Sequence, residues 1–89
     1  MDHQVHELYQ AFLQLETVEE CEAFLKDLCT IKEVQAMAQR WHAARLLASG
    51  KTFLQIEALT GISSTTLSRV SQAYQYGKGY RELVKKSSR

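Results

Sequence analysis

The chain is expected to be all-α, with about six helices, two of them forming a helix-turn-helix. Three features of the sequence predict this class. It has 89 residues and no proline, and it is rich in Ala, Leu, Glu and Gln, which enter helices at little cost. Apolar residues recur at three- and four-residue spacing, with no alternating strand pattern. Helix N-cap patterns stand at Thr17, Thr30, Thr52 and Ser63. The length fits one domain, and so short a chain buries a limited core, for which dimerisation is a common remedy.

The first helix is predicted from Val5, because Val5, Leu8, Tyr9, Phe12 and Leu15 keep helical spacing and Leu13 widens the stripe. It is too apolar to stand free and needs a groove, its own or a partner's. His3 and His6 lie three apart, but no third ligand is near, so they read as solvated end residues and not as a metal site. Thr17 and Glu20 make a capping-box pattern that restarts the helix after a break near Glu16. Val18, Cys21, Phe24, Leu25 and Leu28 form its inner stripe. Glu19, Glu20 and Glu22 face outward, and acids in a first turn suit the positive end of the helix dipole. Cys21 falls in the stripe and reads as a buried structural thiol. With Cys29 it has no metal spacing, and the pair fits free thiols in a reducing cytoplasm.

Thr30 and Glu33 repeat the capping box, and a long helix is predicted from Ile31 to about Ala48. Its buried stripe is Ile31, Val34, Met37, Ala38, Trp41, Ala44 or Arg45, and Leu47 or Leu46. Trp41 reads as a packing anchor. Arg40, His42 and Arg45 face elsewhere, and Ser49-Gly50 ends the helix.

The segment TFLQIEALTGISSTTLSRV, Thr52 to Val70, organises the chain. Thr52 caps a short helix, with Gln55 placed to close the box and Phe53, Ile56 and Leu59 on its apolar face. Gly61 supplies the left-handed turn residue. Ile62 plugs the gap between the helices, and Ser63 caps the next one. Leu67, Val70 and Ala73 or Tyr74 make the inner face of that helix. Ser63, Ser64, Thr65, Ser68, Arg69 and Gln72 are left outside. Short hydrogen-bonding side chains with one guanidinium are what a groove-reading surface requires. Glu57 departs from the small residue that many helix-turn-helices carry after the central hydrophobe, so its carboxylate must escape sideways or find a partner. Beyond Tyr74-Gln75-Tyr76, Gly77 and Gly79 read as a helix stop and a flexible joint. A last helix runs from Tyr80 to about Lys86 with Leu83 and Val84 inward, and the tail Ser87-Ser88-Arg89 frays.

The net charge of +1 hides an asymmetry. Residues 1–35 hold eight acids against two lysines, a balance of −6, and residues 36–89 hold nine bases against Glu57 and Glu82, a balance of +7. The basic part contains the helix-turn-helix, the layout expected if that part meets phosphates. Two halves attracting each other would give the same layout. The set expected to contact double-stranded DNA is Lys51, Thr52, Ser63, Ser64, Thr65, Ser68, Arg69, Gln72 and Lys78, with Lys51, Arg69 and Lys78 on phosphates and Ser64, Thr65, Ser68, Arg69 and Gln72 facing base edges. The rival class is a helical module that docks a protein and binds no DNA. An enzyme is not expected, because no nucleophile–base pair, metal cluster or phosphate loop is present. No aromatic platform for RNA is evident. No apolar run approaches a membrane span and no signal segment opens the chain, so a cytoplasmic protein is expected, and no cofactor is expected.

The stretch AQRWHAARLLASGKTFLQIEALTGISSTTLSRVSQ, Ala38 to Gln72, followed by YQYGKGY at Tyr74–Tyr80, resembles the tryptophan repressor superfamily, most closely its YerC/YecD-type branch. The resemblance implies one six-helix domain over 1–89 that forms an intertwined homodimer. Residues 1–49 would be the dimerisation helices, 52–76 the helix-turn-helix and 78–88 the C-terminal helix. It also implies binding to a palindromic operator. In the repressor proper, the corepressor lies between the core and the recognition helix. The corresponding positions are Arg69, Val70 where the family has glycine, Ala73 where it has serine, Thr30, and Arg40 or, by a one-residue slip, Gln39. The bulk of Val70 and the lost hydroxyl at Ala73 predict that tryptophan is not the effector, whose identity is left open.

Overall fold

The computed structural model describes residues 2–87. The expected fraying of Ser88 and Arg89 lies outside the described residues. The helices are α1 (His3–Leu13), α2 (Val18–Leu28), α3 (Ile31–Ala48), α4 (Phe53–Thr60), α5 (Ser64–Tyr76) and α6 (Gly79–Ser87). The described residues fall into two compact units that divide inside α3, one ending at Val34 and the other beginning at Gln35.

In the first unit, α1 starts two residues before the predicted Val5 because the Asp2 carboxylate caps it, accepting from the Gln4 N–H at 2.9 Å. Leu15 lies beyond its end. Thr17 caps α2 by accepting from the Glu20 N–H at 3.0 Å, and the Glu20 carboxylate reaches back one residue further than a standard box, to the Glu16 N–H at 2.8 Å. α1 and α2 meet through Phe12 and Phe24, edge to face with centroids 5.5 Å apart. No residue of either helix is fully buried. Cys21, Phe24 and Leu25 are half-buried, but Val18 is 79% and Leu28 47% exposed. The predicted inner stripe is therefore covered only at its centre, since two short helices give each other a single shared face. Thr30 and Glu33 make the full capping box: each residue's N–H donates to the other's side chain, at 2.7 and 3.1 Å. Hydrogen bonding from Thr30 to the carboxylate, from its N–H first and from its side chain second, holds the exposed Glu33 carboxyl below its ordinary value near 4.5.

The second unit has a core. Ala43 and Ala44 of α3, Ile56 of α4, Ile62 of the turn, and Leu67 and Val70 of α5 are buried together, with Trp41, Leu46, Leu47 and Tyr80 packed against them. Trp41 lies nearly parallel to Tyr80, with centroids 6.4 Å apart and planes at 22°. The predicted stripe of α3 thus needs Ala43 added, and loses Ile31, Met37 and Ala38, which are exposed. α3 ends in a Schellman turn. Gly50 sits at φ 91°, its N–H bonds Leu47 O at 3.0 Å, and the Lys51 N–H reaches Leu46 O at 3.1 Å. At the other end of the unit, Gly77 closes α5 in an extended conformation. A Cβ there would stand 2.7 Å from the Ala73 carbonyl oxygen, so close approach demands the glycine. Gly79 is not a joint but the first residue of α6. Leu83, expected inward, is 52% exposed, whereas Val84 is half-buried.

Candidate nucleic-acid interface

The helix-turn-helix is built by local chemistry that the sequence specifies. Thr52 accepts from the Gln55 N–H at 3.2 Å while its own N–H donates to Gln55 Oε1 at 2.9 Å, a complete capping box. Of the three apolar residues predicted for the inner face of α4, only Ile56 is buried; Phe53 and Leu59 are 41% and 63% exposed. Three-residue spacing in a helix of 3.6 residues per turn swings each of them about 60° to either side of Ile56. Thr60, one residue past Leu59, is half-buried instead.

The turn between the two helices is tight. Gly61 adopts φ 73° and its N–H closes α4 onto Glu57 O at 2.9 Å. The Thr60 hydroxyl donates to Ile56 O at 2.7 Å and accepts from the Ile62 N–H at 3.1 Å, so one side chain fixes both sides of the bend. Gln39 of α3 donates its Nε2 to Thr60 O at 3.0 Å, fastening the bend to the long helix. Sequence reasoning missed the part that both residues play in the turn. Thr60 carried a signal, because a threonine at a helix end bonds local backbone readily. Gln39 carried none. Glu57 is half-buried and makes no ion pair among the described residues.

Ser63 caps α5, accepting from the Thr66 N–H at 3.2 Å and donating to Thr66 Oγ1 at 2.9 Å. Leu67 and Val70 are buried and Tyr74 half-buried, which decides between Tyr74 and the exposed Ala73. Ser64, Thr65, Ser68, Arg69 and Gln72 are all exposed. The first N–H groups of α5, which lack intrahelical partners, lie at the same end as Ser64 and Thr65, where an anion is favoured. Lys51 and Lys78 are exposed as well. All nine nominated residues thus stand at the surface, but Thr52 and Ser63 lend their hydroxyl oxygens to helix caps.

The five positions implied for an effector behave differently. Val70 is 2% exposed and belongs to the core. Ala73 lines an apolar hollow of about 460 Å³ with Trp41, Gly77, Tyr80 and Leu83, a lining that does not include Val70. Arg40 is half-buried, Arg69 is exposed, and Thr30 belongs to the first unit, engaged in the α3 cap.

Residues 3–88 match the profile of the Trp repressor protein family. The chain belongs to the Trp repressor family. That family consists of transcription regulators and not of enzymes. YerC of Bacillus subtilis (strain 168), an uncharacterised protein, is 42% identical over 81 residues, which span 91% of this chain and 78% of YerC. A crystal structure of a candidate Trp repressor from Staphylococcus aureus superposes with a TM-score of 0.94 at 36% identity, covering 99% of this chain and 89% of that one. A TrpR-like protein from Eubacterium eligens ATCC 27750 gives 0.93 at 35% identity, covering 98% and 91%. The six-helix Trp repressor fold expected from the sequence is therefore established. Among the described residues, no helix is long and apolar enough to cross a membrane.

Proposed function

We propose that this Trp repressor family member is a sequence-specific transcription regulator that binds a palindromic operator as a homodimer, with α5 as its recognition helix. The observation that carries the reading is the two-sidedness of α5. Leu67 and Val70 root it in the core, while Ser64, Thr65, Ser68, Arg69 and Gln72 face solvent as a small-residue polar surface. The balance of +7 over residues 36–89 puts the bases in the same part of the chain as that surface, and bases attract phosphates. Dimerisation is supported by apolar residues without cover on the chain itself, such as Leu13 at 84% exposure and Ile31 at 68%. A two-fold dimer reads half-sites about one helical turn apart.

Selection of bound duplexes from a random pool tests this, and a palindrome is the expected result. Loss of all retention on DNA, with binding behaviour insensitive to salt, favours docking onto a protein instead. Arg69→Ala then separates two roles. If Arg69 reads guanine, specificity relaxes at one operator position by about 1–3 kcal/mol. If it holds phosphate, affinity falls alike for all sequences and the salt slope flattens. Tryptophan is not the effector in this reading, because the Val70 side chain lies within the core. Isothermal titration with L-tryptophan is expected to show no saturable heat, and micromolar stereospecific binding would refute that.

A further inference from the structure

We propose that the cleft between the C-terminal end of α3 and α6 binds a small hydroxy acid. The cleft holds about 350 Å³, at the low end for small-molecule sites, which run from about 300 to 1,000 Å³. It lies wholly in the second unit and shares no residue with α5 or with the positions implied for a corepressor. Its lining combines three kinds of group: the basic side chains His42 and Arg45, the apolar Leu46 and Val84, and the hydroxyls of Ser49 and Ser87. Among the described residues no carboxylate lines it and Arg45 has no ion-pair partner.

Each kind of group selects a feature of the ligand. The Arg45 guanidinium offers a fork of donors matched to a carboxylate, and the His42 imidazole adds an N–H. The two serines are already spent as donors: Ser49 Oγ donates to Leu46 O at 2.8 Å and Ser87 Oγ to Leu83 O at 2.9 Å. What they present to the cleft is oxygen lone pairs, so they call for a donor on the ligand. An ammonium would supply one, but it would enter a cationic cleft in which no described residue is an acid that balances it. A hydroxyl supplies the donor without the charge. Leu46 and Val84 then cover a short apolar body.

The test is isothermal titration of the full chain with 2-hydroxy-4-methylpentanoate, for which saturable binding of one ligand per chain is expected. 4-Methylpentanoate, which lacks the hydroxyl, should bind about tenfold more weakly, and Arg45→Gln should weaken the hydroxy acid by about tenfold or more. Leucine, with ammonium in place of hydroxyl, should bind no better than 4-methylpentanoate. Arg81→Gln, on α6 but outside the cleft, should leave binding unchanged. Amide shifts on titration should cluster at residues 42–49 and 84–87. The absence of saturable heat, leucine matching the hydroxy acid, an Arg45→Gln variant that binds normally, or shifts centred elsewhere would each overturn the proposal. None of these readouts involves DNA, so they stand apart from the test of operator binding.

Discussion

The unit that ends at Val34 and the unit that begins at Gln35 are both helical, yet they keep their apolar residues in different ways. Residues 1–35 carry a balance of −6, and neither α1 nor α2 contains a fully buried side chain. Residues 36–89 carry +7, and within them Ala43, Ala44, Ile56, Ile62, Leu67 and Val70 form a closed cluster. The first unit has one aromatic contact, Phe12 on Phe24, and an open apolar groove of about 320 Å³ along Val18, Cys21, Leu25 and Ile31. Two short helices share only one face, whereas four helix segments around a tight turn can enclose side chains. Amphipathic spacing therefore says which residues seek cover, but not whether the same chain provides it.

A pair of substitutions breaks or sharpens this contrast most strongly. Leu67→Ala removes a side chain with no exposure from the closed core and should cost about 2–5 kcal/mol in urea unfolding. Leu13→Ser acts at a position 84% exposed on the chain itself. On a monomer its effect should stay within about 0.5 kcal/mol. On the proposed homodimer the lost leucine burial should weaken association by about 1.5–3 kcal/mol per chain, read as a rise in the dissociation constant by sedimentation. If Leu13→Ser changes neither association nor stability, the first unit is not where the dimer forms.

Next in size is the cap of α5. Ser63→Ala should lower stability by about 1 kcal/mol, because it removes the acceptor for the Thr66 N–H. The unfolding midpoint should move without a change in slope, since no surface is newly exposed in the native state. A wild-type midpoint would mean that the cap at the start of α5 contributes nothing to the second unit.

The punctuation of the fold was legible in the sequence, because caps and left-handed glycines act locally. Thr17, Thr30, Thr52 and Ser63 all cap helices, Gly50 and Gly61 both take positive φ, and α3 runs between the predicted ends. The outward face of α5 was legible for the same reason: once Leu67 and Val70 are inside, helical geometry places Ser64, Thr65, Ser68, Arg69 and Gln72 outside. Depth of burial was not legible. Phe53, Leu59 and Val18 carry the right spacing but remain exposed, and Ala43, which no stripe required, sits in the core. Those outcomes depend on which neighbour arrives over each face. The bond from Gln39 to Thr60 spans 21 residues and leaves no local pattern, so only the three-dimensional arrangement reveals it.

The smallest effect compares two capping boxes that differ by one functional group. At the start of α3, Thr30 and Glu33 bond each other through a carboxylate; at the start of α4, Thr52 and Gln55 do so through an amide. Only the first can titrate. Because the Thr30 bonds depress the Glu33 pKa in the folded chain, their stabilising effect is present above the ordinary carboxyl value near 4.5 and is lost as pH falls through the lower folded value. The α3 cap should therefore loosen in acid while the α4 cap does not, which amide exchange at Thr30 and Thr52, the donors to the Glu33 carboxylate and the Gln55 amide oxygen, can compare directly. Thr30→Ala removes the side-chain part of the effect and keeps the larger backbone part. A carboxyl NMR titration should then find the Glu33 pKa raised part of the way but still below its ordinary value. A full return to that value would mean that the Thr30 hydroxyl, and not the backbone N–H, holds the carboxylate, and the box would have to be redrawn around the side chain.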